Sequence, residues 1–130
     1  MQTALEPIGT KVDWLGDSEI SEILCTHSGL RIVVAALGDV RQYMEIHFLN
    51  FFAFQAMEEH DMPNFSQPPD SYGHVLFQVT GDGWRARVKE HYLQVSSSYQ
   101  GQEWLIVSGW LCVSVLSDAK PNVRVFGRIA

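Results

Sequence analysis

A chain of 130 residues, 46% hydrophobic and 18% charged, has the size and composition of one soluble domain spanning residues 1–130. No apolar run approaches the ~20 residues that a membrane helix needs, so we expect no membrane partner. The formal net charge is −6, and ten of the fifteen acidic residues but only three of the nine basic residues lie among residues 1–65, a pattern that disfavours nucleic acid and favours a basic partner.

The N-terminus and the cysteines indicate the compartment. Residues 1–7 show neither the basic start nor the continuous apolar stretch of a secretory signal, so we expect a cytoplasmic protein. Cys25 and Cys112 lie far apart in apolar surroundings. This pattern predicts two buried free thiols and no disulfide.

The first half of the chain is expected to consist mainly of β-strands. Residues 17–25 have some helical spacing, but their β-branched residues and the following Ser28-Gly29 favour a strand and turn. Residues 30–37 are apolar on both faces apart from Arg31, as in a central strand covered on both sides. Gly38-Asp39 then predicts a hairpin.

The second strand of this hairpin, residues 40–49, alternates in polarity. One face carries Val40, Gln42, Met44, Ile46 and Phe48, and the other carries Arg41, Tyr43, Glu45 and His47. We expect the first face to be core and the second to be solvated or a binding surface. Residues 51–57 are rich in aromatics, which favours a third strand over a short buried helix.

The second half is expected to combine strands with one helix. A short strand at residues 74–79 is followed by an amphipathic helix at residues 82–96, where Trp84, Val88, Tyr92 and Val95 recur at helical intervals. Further strands are expected at residues 103–107, 111–116 and 123–126, the first two as a hairpin and the last as an edge strand. The predicted fold is therefore α+β, a mainly antiparallel sheet of about six to seven strands with this helix packed on it.

An acidic cluster follows the third strand and begins a loop that contains three of the five prolines. Long loops in compact domains are often functional, and an acidic rim beside aromatic side chains suits a basic protein ligand. We therefore interpret this region as a recognition edge. The candidate partner-binding residues are Glu45, Glu58, Glu59, His60, Asp61 and Tyr72.

Catalytic chemistry has little support in the sequence. His47, His60 and the neighbouring acids lack the spacing of zinc or calcium motifs. Adjacent carboxylates at a strand exit point in different directions, so they do not form an acid and base pair, and no GxSxG turn presents residues 96–98. We expect no catalytic residue, no metal and no cofactor.

Large aromatic side chains are numerous for a domain of this size, and Trp and Tyr often anchor interfaces. Most of them are expected in the core, with Tyr72 and Tyr99 exposed in polar turns. The set is Trp14, Phe51, Tyr72, Trp84, Tyr99, Trp104 and Trp110.

Several segments together resemble small bacterial α+β proteins, some of which are regarded as immunity proteins of polymorphic or contact-dependent toxin systems. They are residues 17–23 with the strand pair that follows, residues 51–61, residues 104–107, and residues 112–117 with Pro121. Such proteins often have a histidine before the Asp-Ser pair, where this chain has Gly16. The resemblance implies a protein that binds and inactivates a cognate toxin, and it implies no catalytic residues.

The leading hypothesis is an immunity or inhibitor protein that occludes the active site of a toxin, for example a basic nuclease. One alternative is a small metal-dependent hydrolase that uses His47, His60 and nearby carboxylates. The other is a non-catalytic interaction protein that forms a homodimer through an aromatic surface.

Overall fold

The protein is described by a computed structural model over residues 4–9, 18–36, 42–58, 74–81 and 101–127. Within these ranges the chain forms nine β-strands and no helix. The strands are β1 (Ala4–Ile8), β2 (Ser18–Thr26), β3 (Gly29–Ala36), β4 (Gln42–Phe48), β5 (Ala53–Glu58), β6 (Leu76–Gly81), β7 (Gln102–Val107), β8 (Leu111–Ser117) and β9 (Asn122–Gly127). They build a five-stranded sheet in the order β1-β6-β7-β8-β5 and a four-stranded sheet in the order β2-β3-β4-β9, and every described pairing is antiparallel.

The predicted α+β class is wrong, because the described residues form an all-β arrangement of two sheets. A sheet must cover its apolar face with another layer. The sequence analysis assigned that role to a helix, whereas a second sheet provides the cover here. The helix predicted at residues 82–96 lies outside the described residues.

The main core lies between the two sheets. Ile32 and Ile46 face inward from the four-stranded sheet, while Ile106 and Val113 face them from the five-stranded sheet, and all four are fully buried. Trp104 fills the same layer. Its indole Nε1 donates a hydrogen bond of 3.1 Å to the carbonyl oxygen of Ser117, so its one polar group is satisfied inside the core.

The five-stranded sheet is also buried on its outer face. Phe77 on β6 is paired with Leu105 on β7, and both are at most 1% exposed. Leu5, Val107 and Cys112 complete this second cluster. Burial on both faces explains why β7 and β8 are almost continuously apolar in sequence instead of alternating.

Two of the connections between the sheets lie within the described residues. Residues 49–52 join β4 to β5, and residues 118–121 join β8 to β9. Because β4 pairs with β9 and β5 pairs with β8, the two connections run side by side as one folded ribbon. The amide of Phe52 donates to Leu116 O at 2.7 Å, and the hydroxyl of Ser117 donates to Asn50 O at 2.9 Å.

The tight turn between β2 and β3 depends on Gly29. Its φ of +125° is a conformation that side chains rarely adopt, and a Cβ there would collide with the carbonyl oxygen of Phe48. The Ser28-Gly29 turn expected from the sequence is thus confirmed.

Most strand predictions are confirmed. The strand predicted at residues 17–25 is found as β2 (Ser18–Thr26). The two strands of the first predicted hairpin pair with each other, and residues 103–107 and 111–116 form a second hairpin. The last strand lies at a sheet edge as expected. The sequence analysis missed β1, whose proline makes it unlike a regular strand.

Candidate functional site

The outer face of the four-stranded sheet is charged, and we call it the charged face. The strand registers place its side chains in rows that cross all four strands. The central row contains Glu22, Val33, Glu45 and Arg124. The row on one side of it contains Leu24, Arg31, His47 and Asn122. The row on the other side contains Glu19, Ala35, Tyr43 and Phe126. The charged face therefore includes one of the candidate residues, Glu45.

Glu45 is ion-paired within this face. Arg31 Nε donates to Glu45 Oε2 at 2.6 Å, and Arg31 also donates to Glu22. Arg124 Nη2 lies 3.6 Å from the same Glu45 oxygen. The hydrogen bond from Arg31 lowers the pKa of Glu45, and the same bond raises the pKa of Arg31.

Aromatic contacts join the edge strand β9 to β4 on the same face. The rings of Tyr43 and Phe126 stack with centroids 5.3 Å apart and an interplanar angle of 21°. The guanidinium of Arg124 lies 4.7 Å from the centroid of the Phe126 ring, within range of a cation–π interaction. Arg124 is therefore held between a carboxylate and an aromatic ring.

A second surface lies at one end of the five-stranded sheet, and we call it the acidic-aromatic end. Glu58 is the last residue of β5 and is exposed, and it pairs with Leu111 at the start of β8. Trp110 immediately precedes Leu111 and is 52% exposed. The turn that presents Trp110 is fixed, because Ser108 N donates to Leu111 O at 3.0 Å and Gly109 N donates to Ser18 O at 3.3 Å.

The candidate residues do not form a single patch within the described part of the chain. Glu45 lies in the middle of a strand in one sheet, and Glu58 lies at a strand end in the other. Glu59, His60, Asp61 and Tyr72 are outside the described residues.

Two expectations about individual side chains need correction. Trp104 is core as expected, but Trp110 is exposed, and the preceding Ser108-Gly109 is the sequence signal that marks it as part of a turn. Cys112 is a buried free thiol, whereas Cys25 is free but exposed. Cys25 lies near the end of an edge strand, where its neighbours in sequence do not decide its burial. Trp14, Trp84 and Tyr99 are outside the described residues.

The described side chains include His, Cys, Asp and Glu residues, which are the types that bind metals. No group of three or more His, Cys, Asp or Glu residues in that part of the chain is arranged to hold an ion. His47 lies on the charged face, and His60 is outside the described residues. Over the same ranges, no helix is long and apolar enough to cross a bilayer.

Comparisons with known proteins give no relative. No family model matches the chain, and neither a curated protein nor a solved structure matches it. The function is therefore inferred from the residues themselves.

Proposed function

We propose that this protein is a non-catalytic, cytoplasmic inhibitor that binds a basic protein and occludes its active site, as an immunity protein does with its cognate toxin. The observation that carries the proposal is the acidic-aromatic end, where the exposed Glu58 and the exposed Trp110 occupy neighbouring positions. The sequence continues from Glu58 into Glu59, His60 and Asp61.

The two side chains would have different roles in such a complex. An exposed tryptophan held on a fixed turn can fill a pocket of the partner and slow dissociation, as hot-spot residues do. Carboxylates beside it attract a basic partner and speed the encounter, an effect that salt weakens. The concentration of acidic residues in the first half of the chain supports this assignment.

Glu45 contributes differently in this proposal. Its carboxylate already accepts a hydrogen bond from Arg31 and lies near Arg124. A basic ligand would have to compete with those guanidinium groups. We therefore assign a mainly structural role to Glu45.

The proposal is tested with the C-terminal domain of any large secreted protein encoded next to this gene, immobilised as the binding partner. Trp110→Ala is expected to weaken binding by about 30-fold or more, mainly through faster dissociation. Glu58→Lys is expected to slow association several-fold at low salt and to make the rate less dependent on salt.

Asp118→Lys is the matched control, because Asp118 is exposed beyond the opposite end of β8 and the variant changes the net charge equally. It should leave the association rate close to that of the wild type. Binding that is unaffected by both Trp110→Ala and Glu58→Lys would contradict the assignment to this surface. If no neighbouring secreted protein binds the wild-type chain, the immunity role itself fails.

A further inference from the structure

The four edge strands of the two sheets differ in how they are protected from pairing with other chains. Exposed edges are usually blocked by proline, bulges or charge. β1 contains Pro7 and a register irregularity, and β2 has a register irregularity between Ile20 and Glu22. β5 has neither, but most of its side chains are at least half-buried. β9 pairs with β4 in regular register, contains no proline, and is exposed along nearly its whole length.

The exposed side chains of β9 include two valines that face the core side of the sheet. Val123 pairs with Ile46 and Val125 pairs with Met44, and directly paired residues point to the same face. Ile46 and Met44 are buried, whereas Val123 and Val125 are 39% and 46% exposed. The apolar layer of the molecule thus extends to an edge that no described strand covers.

We propose that β9 pairs in antiparallel orientation with β9 of a second copy of this chain, with the two-fold axis at Val125. In this register Val125 lies opposite Val125 of the partner subunit on the core side. Val123 lies opposite Gly127 of the partner subunit. On the charged face, Arg124 lies opposite Phe126 of the partner subunit, and this contact occurs twice by symmetry.

The sequence of β9 favours this register over one with the axis at Arg124. An axis at Arg124 would place the two arginines directly opposite each other, which is destabilising. An axis at Val125 instead gives each arginine a second aromatic ring, in addition to the ring of its own Phe126 at 4.7 Å. Charge and ring positions therefore make β9 complementary to itself.

The pairing joins two four-stranded sheets into one continuous eight-stranded sheet across the two-fold axis. A head-to-tail contact between β9 and the opposite edge, β2, is disfavoured because β2 departs from regular register. One strand pair buries less than the ~1,200 Å² of a standard interface, so we expect a weak dimer that forms in the micromolar range. The proposal does not depend on the inhibitor function.

Sedimentation velocity over about 1 µM to 500 µM tests the proposal, because a weak dimer dissociates across this range. Wild-type protein should shift from monomer to dimer, and Val125→Lys should weaken dimerisation at least about tenfold by placing two cations opposite each other. Leu24→Lys is the matched control, since Leu24 is 48% exposed on the opposite edge strand of the same sheet. It should dimerise like the wild type. A wild-type chain that stays monomeric throughout overturns the proposal, and so does assembly that Leu24→Lys weakens as much as Val125→Lys.

Disulfide cross-linking tests the register directly and is done in a Cys25→Ser background, because Cys25 is exposed. Only residues that face each other across the two-fold axis have Cβ atoms close enough to form a symmetric disulfide. Val125→Cys should therefore cross-link under mild oxidation with diamide, and Val123→Cys should not. Equal cross-linking of the two variants, or of Val123→Cys alone, would rule out an axis at Val125.

Discussion

The outer faces of the two sheets differ in polarity and in burial. In the four-stranded sheet the outer face carries ion pairs and stacked rings, and Glu22 and Arg124 are exposed on it. In the five-stranded sheet the outer face carries Phe77 and Leu105, which are buried as completely as the residues between the sheets. The difference shows that the two sheets have unequal structural roles: one is an internal layer and the other is a surface layer.

The difference in burial between the two outer faces follows from the sequence. β4 alternates between apolar and polar residues, so one of its faces can be solvated. β7 and β8 do not alternate, and a strand without alternation is stable only when both faces are covered. Variants on the two outer faces should therefore behave very differently, and the following experiments are given in order of expected effect.

The largest expected effect is the difference in reaction rate between the thiols of Cys112 and Cys25. Cys112 lies on the buried outer face of the five-stranded sheet, and Cys25 is exposed on β2. A thiol reagent in excess should modify Cys25 rapidly and Cys112 at least about 1,000-fold more slowly, because Cys112 reacts only after the chain opens. Cys25→Ser should remove the fast phase alone. Comparable rates at the two sites would show that the outer face of the five-stranded sheet is accessible to solvent.

Truncating a leucine on each outer face should give the next largest difference. Leu105→Ala removes a side chain that is 1% exposed, and we expect it to lower the free energy of unfolding by about 3 kcal/mol. Leu24→Ala, on the charged face, should cost less than about 0.5 kcal/mol. Urea denaturation measures both variants. A loss below about 1 kcal/mol for Leu105→Ala would mean that its face is not part of a packed core.

The smallest effect concerns the ion pairs of the charged face. We expect Glu45→Gln to cost about 1 kcal/mol at neutral pH, since the pairs are partly exposed. The folded-state pKa of Glu45 is lowered, so its contribution is complete above the unfolded-state pKa and is lost as the pH falls through the folded-state value. The stability difference between wild type and variant should therefore disappear in acid.

Chemical denaturation at a series of pH values measures this loss. Glu19→Gln, on the same face but without an ion pair among the described residues, is the control and should change stability by less than about 0.5 kcal/mol at every pH. A Glu45→Gln difference that stays constant as the pH falls through the folded-state pKa of Glu45 would show that the contribution does not come from the ionised carboxylate.

Most strands could be predicted from the sequence, but their arrangement into two sheets could not. The period-two pattern of β4 identified its core face, because the polarity of each side chain reports its own environment. Which sheet a strand joins depends on partners far away in the chain. The strand predicted at residues 51–57 is found at Ala53–Glu58, but nothing local indicates that β5 pairs with β8 and not with β4. The two-layer architecture was missed for the same reason.

The candidate site was predictable only in part. Glu58 is exposed at the end of β5, and the role of this acidic edge in binding stays a prediction. The exposure of Trp110 was not predicted, because its bulk and its apolar neighbours favour the core. Only its position in the turn of a β-hairpin exposes it. The ion pairs of Glu45 were not foreseen, since Arg31 and Arg124 reach it from strands 14 and 79 residues away in sequence.

The folded ribbon formed by β4-β5 and β8-β9 has a consequence for how the chain reaches its native state. Each of its two segments contributes a strand to both sheets, and the hydrogen bond from Ser117 to Asn50 spans 67 residues of sequence. Long loops must therefore close before either sheet is complete, which makes folding slow and strongly cooperative. A chain cut after β7 would lose an internal strand of one sheet and an edge strand of the other, so neither layer can fold as an independent half.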